Sequence, residues 1–264
     1  MITWINGALV EDPTISAQDR GFTLGDGIFE TIAVRAGLPL CLDRHLARLR
    51  DGAAVLGLTL AYDDRVLTAA MAAVLAGQGL GEGSVRLTVT RGPAPRGLLP
   101  PAEPHPTMLI TAAPAAARVS PARLVVATVT RRNEHSPLAR IKSLNALDNI
   151  LARQEAAQRD ADDAILLNTR GRVAETTVAN LFAVIDGALV TPPVADGALP
   201  GITRHRVLAA KMAVERSLHR HDLDRASAVV LTNSLGLRAA VSLDGRPLAE
   251  DGAVLAGLHR LYRG

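Results

Sequence analysis

The sequence ARIKSLNALDNILARQEAAQR, residues 139–159, carries the main clue to both fold and chemistry, because it contains Lys142. Apolar residues recur at helical spacing from Leu144 onward, which predicts a helix over residues 144–159 with Lys142 at its start. The partial positive charge of a helix N-terminus and burial both favour the neutral amine. A neutral amine is the form that bonds to a carbonyl carbon. A surface lysine that precedes a helix would give the same pattern.

Lysine is rare in this chain, and its rarity makes each lysine informative. Of 29 Lys and Arg residues, only Lys142 and Lys211 are lysines. Arginine replaces lysine on a solvated surface, but its guanidinium does not give up a proton near neutral pH. A chain that prefers arginine therefore has a chemical reason to keep a lysine. Lys211 falls inside a predicted helix and is interpreted as solvated.

The remaining pattern predicts an α+β fold in two domains. Two apolar runs flank Asn6-Gly7, which favours a hairpin with a two-residue turn. An Ala/Pro-rich stretch over residues 112–122 indicates a linker, and we place the domains at 1–113 and 123–264, with the linker at 114–122 and Lys142 in the C-terminal domain. Strands are predicted at 27–34, 85–89, 107–111, 124–129, 164–167, 179–185, 188–190 and 228–232, and helices at 42–56, 63–76, 144–159 and 202–216.

Composition restricts the partners that we expect. Hydrophobic residues make up 48% of the 264 residues, which is typical of a folded chain. The formal charge of +3 comes from scattered arginines, so neither a nucleic acid nor a membrane partner is expected. A single cysteine, Cys41, allows no intrachain disulfide, and no metal site is predicted. With no signal peptide and no long apolar run, we expect a cytoplasmic protein.

Four further features suit a phosphorylated, carbonyl-containing ligand. Glu175 precedes an apolar strand and could pair with a ring nitrogen. Gly201-Ile202-Thr203 opens a helix whose free N–H groups could bind phosphate, and the turn at Thr232-Asn233-Ser234 offers further donors. Arg48 lies beside the apolar stripe of its helix and could reach a phosphate. Each feature alone has an ordinary structural explanation as a loop charge, a helix cap or a solvated face.

Six motifs in order along the chain resemble the class IV aminotransferases, which include D-amino-acid and branched-chain transaminases and 4-amino-4-deoxychorismate lyase. The motifs are DRGFTLGDGIFET (19–31), HLARL (45–49), IKSLN (141–145), ETTVANLF (175–182), LPGITR (199–204) and TNS (232–234). The resemblance implies a two-domain enzyme of PLP fold type IV, commonly a homodimer, with pyridoxal 5′-phosphate (PLP) bound between the domains.

The resemblance also implies a role for individual residues. Lys142 would bind PLP as a Schiff base and move the substrate proton, and Glu175 would pair with the pyridine nitrogen. The phosphate-binding and other cofactor-binding residues would be Arg48, Gly201, Ile202, Thr203, Asn233 and Ser234. Substrate would contact Phe29, Thr31 and Arg96, the last on a loop that binds the substrate carboxylate.

The reaction within the family is less well specified by the sequence. Leu98 and Leu147 replace the histidine and the tyrosine that D-amino-acid and branched-chain transaminases use, and Phe29 replaces a second tyrosine. We therefore favour the lyase, which releases 4-aminobenzoate and pyruvate for folate synthesis. A class IV transaminase is the alternative. A non-catalytic basic binding protein is a remote third hypothesis, because only six aromatic residues are available for stacking.

Overall fold

The structure is a computed structural model and describes residues 1–115 and 120–263. The chain folds into two compact units, Met1–Ala117 with Ile141–Asn145, and Arg118–Arg140 with Ala146–Gly264. Both units combine helices with a β-sheet, which confirms the predicted α+β class. No helix in the described ranges is long and apolar enough to cross a membrane.

The first unit contains a six-stranded sheet with the strand order β2-β1-β6-β5-β3-β4. Its helices are short or medium in length, and α2 packs against β3. Its elements are β1 (Thr3–Ile5), β2 (Ala8–Val10), α1 (Arg20–Leu24), β3 (Gly27–Arg35), β4 (Leu38–Pro39), α2 (Leu42–Leu56), α3 (Asp64–Gly77), β5 (Gly83–Thr90) and β6 (Thr107–Pro114).

Local chemistry explains where these helices begin and end. The Asp63 carboxylate accepts a hydrogen bond from Val66 N at 2.9 Å and so caps α3. Gly57 ends α2 in the left-handed conformation, which glycine adopts without steric cost. The buried Asp19 caps the short helix α1, because one of its carboxylate oxygens accepts a hydrogen bond from Gly21 N. The other oxygen accepts hydrogen bonds from Thr90 and Thr107. These bonds fix the motif around Asp19 against the sheet.

The second unit contains a nine-stranded mixed sheet with the order β12-β11-β10-β13-β14-β7-β8-β9, and β15 pairs with β14. Its elements are β7 (Ala122–Val126), α4 (Leu147–Gln158), β8 (Asp163–Leu167), β9 (Val173–Thr176), β10 (Asn180–Ile185), β11 (Ala188–Thr191), α5 (Ile202–Ala209), β12 (Val214–Glu215), α6 (Arg220–Asp224), β13 (Ala228–Asn233), β14 (Gly236–Leu243), β15 (Arg246–Pro247) and α7 (Gly252–Arg263).

The central strand β10 is buried along its whole length because apolar clusters cover both faces. Its alternate residues Leu181 and Ile185 join one core cluster, while Phe182 joins the cluster on the opposite face. Side chains of a strand alternate between the two faces. The continuous apolar run is therefore the expected sequence of a strand covered on both sides.

The predicted strands are confirmed, except that the strand predicted over 124–129 ends at Val126. The helices predicted over 42–56 and 63–76 are confirmed, and the other two helix predictions are wrong in extent. The helix predicted over 144–159 begins at Leu147, because the preceding residues pair with a strand. The helix predicted over 202–216 ends at Ala209, and Lys211 has a φ of +55° instead of lying inside a helix. Of the predicted linker 114–122, residues 116–119 lie outside the described residues; β6 ends at Pro114 and β7 begins at Ala122.

Candidate active site

The segment that contains Lys142 extends the sheet of the first unit. Phe29 N donates to the Lys142 carbonyl at 2.9 Å, and Leu144 N donates to the Gly27 carbonyl at 2.9 Å. A side chain at position 27 would not fit, since a Cβ there would lie 2.4 Å from the Val89 carbonyl oxygen and 2.8 Å from Leu144 Cδ1. Gly27 therefore allows the lysine segment to approach β3 closely.

This pairing corrects the predicted environment of Lys142. The lysine does not begin a helix, because α4 starts five residues later at Leu147. The charge of a helix N-terminus therefore does not act on its amine as the sequence prediction supposed. Residues Ile141–Asn145 also belong to the first unit, whereas the sequence prediction assigned the lysine to the C-terminal domain.

The Phe29 ring contacts two cationic groups. Lys142 Nζ lies 4.4 Å from the ring centroid, and the Arg86 guanidinium carbon lies 3.8 Å from it. Both distances fall in the range of cation–π attraction. Arg86 is directly opposite Thr31 in the β3–β5 pair, so Phe29, Thr31 and Arg86 share one face of the sheet. Arg86 was not predicted as a site residue, because only the register of two strands that are distant in sequence brings it beside Phe29.

The predicted phosphate ligand Arg48 is bound to a buried carboxylate. Its Nε and Nη2 donate to the two oxygens of Glu30 at 2.8 and 2.7 Å, and His45 Nδ1 lies 2.7 Å from the same carboxylate. Glu30 is 1% exposed and projects to the face of β3 that α2 covers. A bidentate pair of this kind fixes the plane of the guanidinium. Glu30 and His45 therefore orient Arg48, a role that was not predicted from the sequence.

The charge of Glu30 is stabilised by its partners. Burial by itself raises the pKa of Glu30, but hydrogen bonds from Arg48 and His45 outweigh burial and hold its pKa below the ordinary value. The carboxylate therefore stays ionised at neutral pH. A buried carboxylate tolerates this state only because both of its oxygens are hydrogen-bonded.

Arg96 lies on the loop between β5 and β6. Its side chain is exposed, and the neighbouring Leu98 and Leu99 are 83% and 88% exposed. Within the described residues, the Arg96 guanidinium makes no hydrogen bond or ion pair. Arg96 is therefore a cation presented on a surface loop, and its contact with a substrate carboxylate stays a prediction.

In the second unit, Glu175 lies on β9, and its partners include Arg132, Leu199 and Asn180. Its Oε1 lies 3.0 Å from Arg132 Nη2. Its Oε2 accepts from Leu199 N at 3.0 Å and from Asn180 Nδ2 at 3.4 Å. The neighbouring guanidinium favours the ionised carboxylate. Arg132, 43 positions before Glu175, has no sequence signal that links the two.

The predicted phosphate-binding residues of the second unit come together at the start of α5. Gly201 precedes this helix and has no side chain to cap its N–H groups, and Thr203 Oγ1 donates to the Asn233 carbonyl at 2.9 Å. A Cβ at Gly201 would clash with Asn180 Oδ1, so a larger residue there would displace the Asn180 side chain. Tyr262 of α7 donates to the Ser234 carbonyl at 2.9 Å and so ties the turn to the last helix.

Each unit by itself contains groups that suit a part of PLP. The N-terminal N–H groups of a helix have no intrahelical partner and suit an anion, and the buried Thr232 hydroxyl nearby has no hydrogen-bond partner within the described residues. In the second unit, the Glu175 carboxylate could pair with a protonated ring nitrogen, and in the first unit Lys142 offers a primary amine that could bond to the aldehyde. These are the donors that a phosphorylated pyridine aldehyde requires.

Comparison with known proteins gives the same family over most of the chain. The family model described as Amino-transferase class IV matches residues 27–243. The D-alanine aminotransferase of Bacillus licheniformis is 30% identical over 251 residues, which cover 92% of this chain and 88% of that protein. The crystal structure of 4-amino-4-deoxychorismate lyase from Pseudomonas aeruginosa matches with a TM-score of 0.82 and 33% identity and covers 98% of both chains. The branched-chain aminotransferase of Thermoproteus uzoniensis matches with a TM-score of 0.91 and 28% identity, over 100% of this chain and 93% of that chain. The chain therefore belongs to the class IV aminotransferase family, whose members are PLP-dependent enzymes.

Proposed function

We propose that the protein is a 4-amino-4-deoxychorismate lyase, which converts its substrate to 4-aminobenzoate and pyruvate. The observation that carries this proposal is the position of Arg86, whose guanidinium lies over the Phe29 ring beside Lys142. In aminodeoxychorismate neither carboxylate is on the carbon that bears the amine. One carboxylate is on the ring and the other is on the enolpyruvyl group. Arg86 and Arg96 together give one arginine for each.

A class IV transaminase is the second candidate, and the relatives favour it. The sequence is 30% identical to a D-alanine aminotransferase, and branched-chain aminotransferases share its fold. A dicarboxylate such as glutamate or 2-oxoglutarate would also use two arginines. The distinction between the two reactions therefore requires an assay of products.

The proposal assigns each residue a task. Lys142 takes the proton from the carbon that bears the substrate amine, and Arg132 keeps Glu175 anionic so that the carboxylate accepts a hydrogen bond from the ring nitrogen. Bound PLP supplies an electron sink for the electron pair that the proton leaves behind. Phe29 and Thr31 line the substrate side. The remaining cofactor contacts are assigned to Arg48, Gly201, Ile202, Thr203, Asn233 and Ser234.

The two candidate reactions differ in what leaves after proton removal. In the lyase reaction the ring C–O bond breaks, the enolpyruvyl group departs and takes up a proton to become pyruvate, and the aromatic ring keeps the amine. A transaminase would instead release a 2-oxo acid and pass the amine to a second 2-oxo acid. Both start with the same proton transfer by Lys142.

The two lysines provide a matched test. Lys142→Arg and Lys211→Arg each keep a positive charge, and Lys211 is exposed and outside the proposed site. We expect Lys211→Arg to keep the absorbance of lysine-bound PLP and the activity, and Lys142→Arg to lose both.

With aminodeoxychorismate, the wild-type enzyme should form 4-aminobenzoate and pyruvate in equal amounts. Transfer of the amine from D-alanine, L-glutamate or a branched-chain amino acid to a 2-oxo acid, without 4-aminobenzoate, would establish the transaminase instead. Full activity of Lys142→Arg would contradict both.

We further propose that the enzyme acts as a cytoplasmic homodimer that supplies 4-aminobenzoate to folate synthesis. Exposed apolar side chains on the first unit, at Ile15, Phe22 and Leu24, support a partner surface. Light scattering of the purified protein tests the dimer. Growth of a deletion strain with and without added 4-aminobenzoate tests the pathway.

A further inference from the structure

Arg20 is a buried arginine that contacts the loop bearing Arg96. It is 4% exposed, and its Nη1 and Nη2 donate to the carbonyls of Gly97 and Leu98 at 2.7 and 2.9 Å. Its Nε donates to Asp26 at 2.8 Å. All three nitrogens of this guanidinium therefore have an acceptor, and two of these acceptors belong to a loop 77 and 78 positions away.

Asp26 connects Arg20 to a second buried arginine. Arg91 donates to both Asp26 oxygens, at 2.8 and 3.2 Å, and to the carbonyls of Leu56 and Gly57 at the end of α2. Burial by itself raises the pKa of Asp26, but hydrogen bonds from Arg91 and Arg20 outweigh it and lower the pKa. The cluster of Arg20, Asp26 and Arg91 is therefore an ionised anchor joined to the body of the first unit.

The same stretch of chain holds the loop on both sides of Arg96. Before Arg96, Ala94 N donates to the Gln18 carbonyl at 3.2 Å. After it, the Arg20 guanidinium holds the carbonyls of Gly97 and Leu98. The side chains of Leu98 and Leu99 are exposed and so provide little packing. The backbone contacts to residues 18–20 therefore provide the restraint that side-chain packing does not.

We propose that Arg20 is a positioning residue for substrate binding, because it orders the loop that presents Arg96 to the substrate carboxylate. The inference rests on the role assigned to Arg96 in the proposed function. A loop that is ordered before the substrate arrives loses less conformational entropy on binding. Loss of Arg20 should therefore weaken substrate binding and leave the proton transfer at Lys142 largely unchanged.

The main test compares Arg20→Met, Arg20→Lys and Arg96→Met with a control variant, Arg65→Met. Arg65 is an exposed residue on α3. Arg20→Met leaves Asp26 paired with Arg91, so the unit should still fold. Using the substrate that the product assay identifies, aminodeoxychorismate or the donor amino acid, we expect Arg20→Met to raise KM about tenfold, with kcat within about twofold of wild type. Arg20→Lys, which keeps the charge but not the fork of donors, should show an intermediate KM. Arg65→Met should match wild type.

A second readout does not depend on activity. Trypsin cleaves after arginine, and the exposed bond between Arg96 and Gly97 is available to it. Arg20→Met should increase the rate of cleavage at Arg96 several-fold without a general increase at other sites, as followed by mass spectrometry. Arg91→Met, which keeps the bonds from Arg20 to the loop, should lower thermal stability without this local increase.

The outcomes separate the inference from the proposed function. If Arg96→Met raises KM while Arg20→Met changes neither KM nor cleavage at Arg96, the inference is wrong and the role of Arg96 stands. If Arg96→Met leaves KM unchanged, the inference fails with the role of Arg96, while the Lys142 variants still test the reaction. If Arg20→Met lowers kcat and the melting temperature together, with general cleavage, Arg20 is a structural residue only.

Discussion

The buried carboxylate of Glu30 should be a major source of stability in the first unit, and Glu30→Gln is the substitution that tests this. The carboxylate receives two hydrogen bonds from Arg48 and one from His45, all between 2.7 and 2.8 Å. Arg48 is 10% exposed and His45 is 2% exposed, so water cannot replace the lost partner. Glutamine is nearly the same size but is uncharged, and its NH₂ group would face an N–H donor.

The magnitude follows from the burial of the pair. Breaking a buried ion pair by removing one charge costs about 3–5 kcal/mol, and we expect a value near 3 because the glutamine oxygen remains an acceptor. In a chain of this size each kcal/mol lowers the melting temperature by about 2–4 °C. The variant should therefore melt about 6–12 °C below wild type. The cofactor should also be retained less tightly, because Arg48 loses its fixed orientation.

The pH dependence of this effect has a definite sign. The pKa of Glu30 in the folded protein is below the ordinary value of 4.5. Its ionisation therefore stabilises the fold fully above pH 4.5, and this contribution is lost as the pH falls through the folded pKa. The difference in unfolding free energy between wild type and Glu30→Gln should be constant from pH 7 to about pH 5.5 and should shrink below pH 4.5.

Urea unfolding at a series of pH values measures this difference, and Glu103→Gln is the matched control. Glu103 is exposed, and its substitution should change stability by no more than about 0.5 kcal/mol. The reasoning is refuted if Glu30→Gln is as stable as Glu103→Gln at pH 7. It is also refuted if the difference from wild type grows as the pH falls.

Three further substitutions test other parts of the site. Gly27→Ala should destabilise the protein by about 1–3 kcal/mol and reduce the absorbance of lysine-bound PLP, since the new Cβ would meet a backbone oxygen at 2.4 Å; a variant with wild-type melting and spectrum would contradict this. Arg132→Met should lower kcat about 10- to 100-fold with a smaller change in KM, because Glu175 loses a charged hydrogen-bond donor; steady-state kinetics decide, and an unchanged kcat would remove Arg132 from the proposed mechanism. Tyr262→Phe should increase the dissociation constant of PLP about 2- to 10-fold, the effect of losing one hydrogen bond to the Ser234 carbonyl. Dialysis followed by cofactor titration measures this change. Equal retention of PLP by both proteins would show that this bond does not support phosphate binding by the turn at residues 232–234.

The sequence by itself determined the local structure and the chemical type of the site. The Asn6-Gly7 turn and the strand predicted at 179–185 each report a local backbone preference or burial, and the structure confirms both. The scarcity of lysine identified Lys142 as chemically distinctive, because an amine does what a guanidinium cannot. The order of the motifs gave the family, which the comparisons confirm.

Only the tertiary structure decided which groups meet. The helical spacing after Leu144 could not show that the preceding residues pair with β3, since backbone pairing depends on a strand more than a hundred positions away. The partners of Arg48 and Arg20 likewise could not be predicted from the sequence, because a guanidinium carries the same charge whether it is solvated or bound to a buried carboxylate. Sequence periodicity reports which face of an element is buried. The tertiary fold determines which residue from elsewhere in the chain packs against that face, and at Glu30, Asp26 and Glu175 this residue is an arginine.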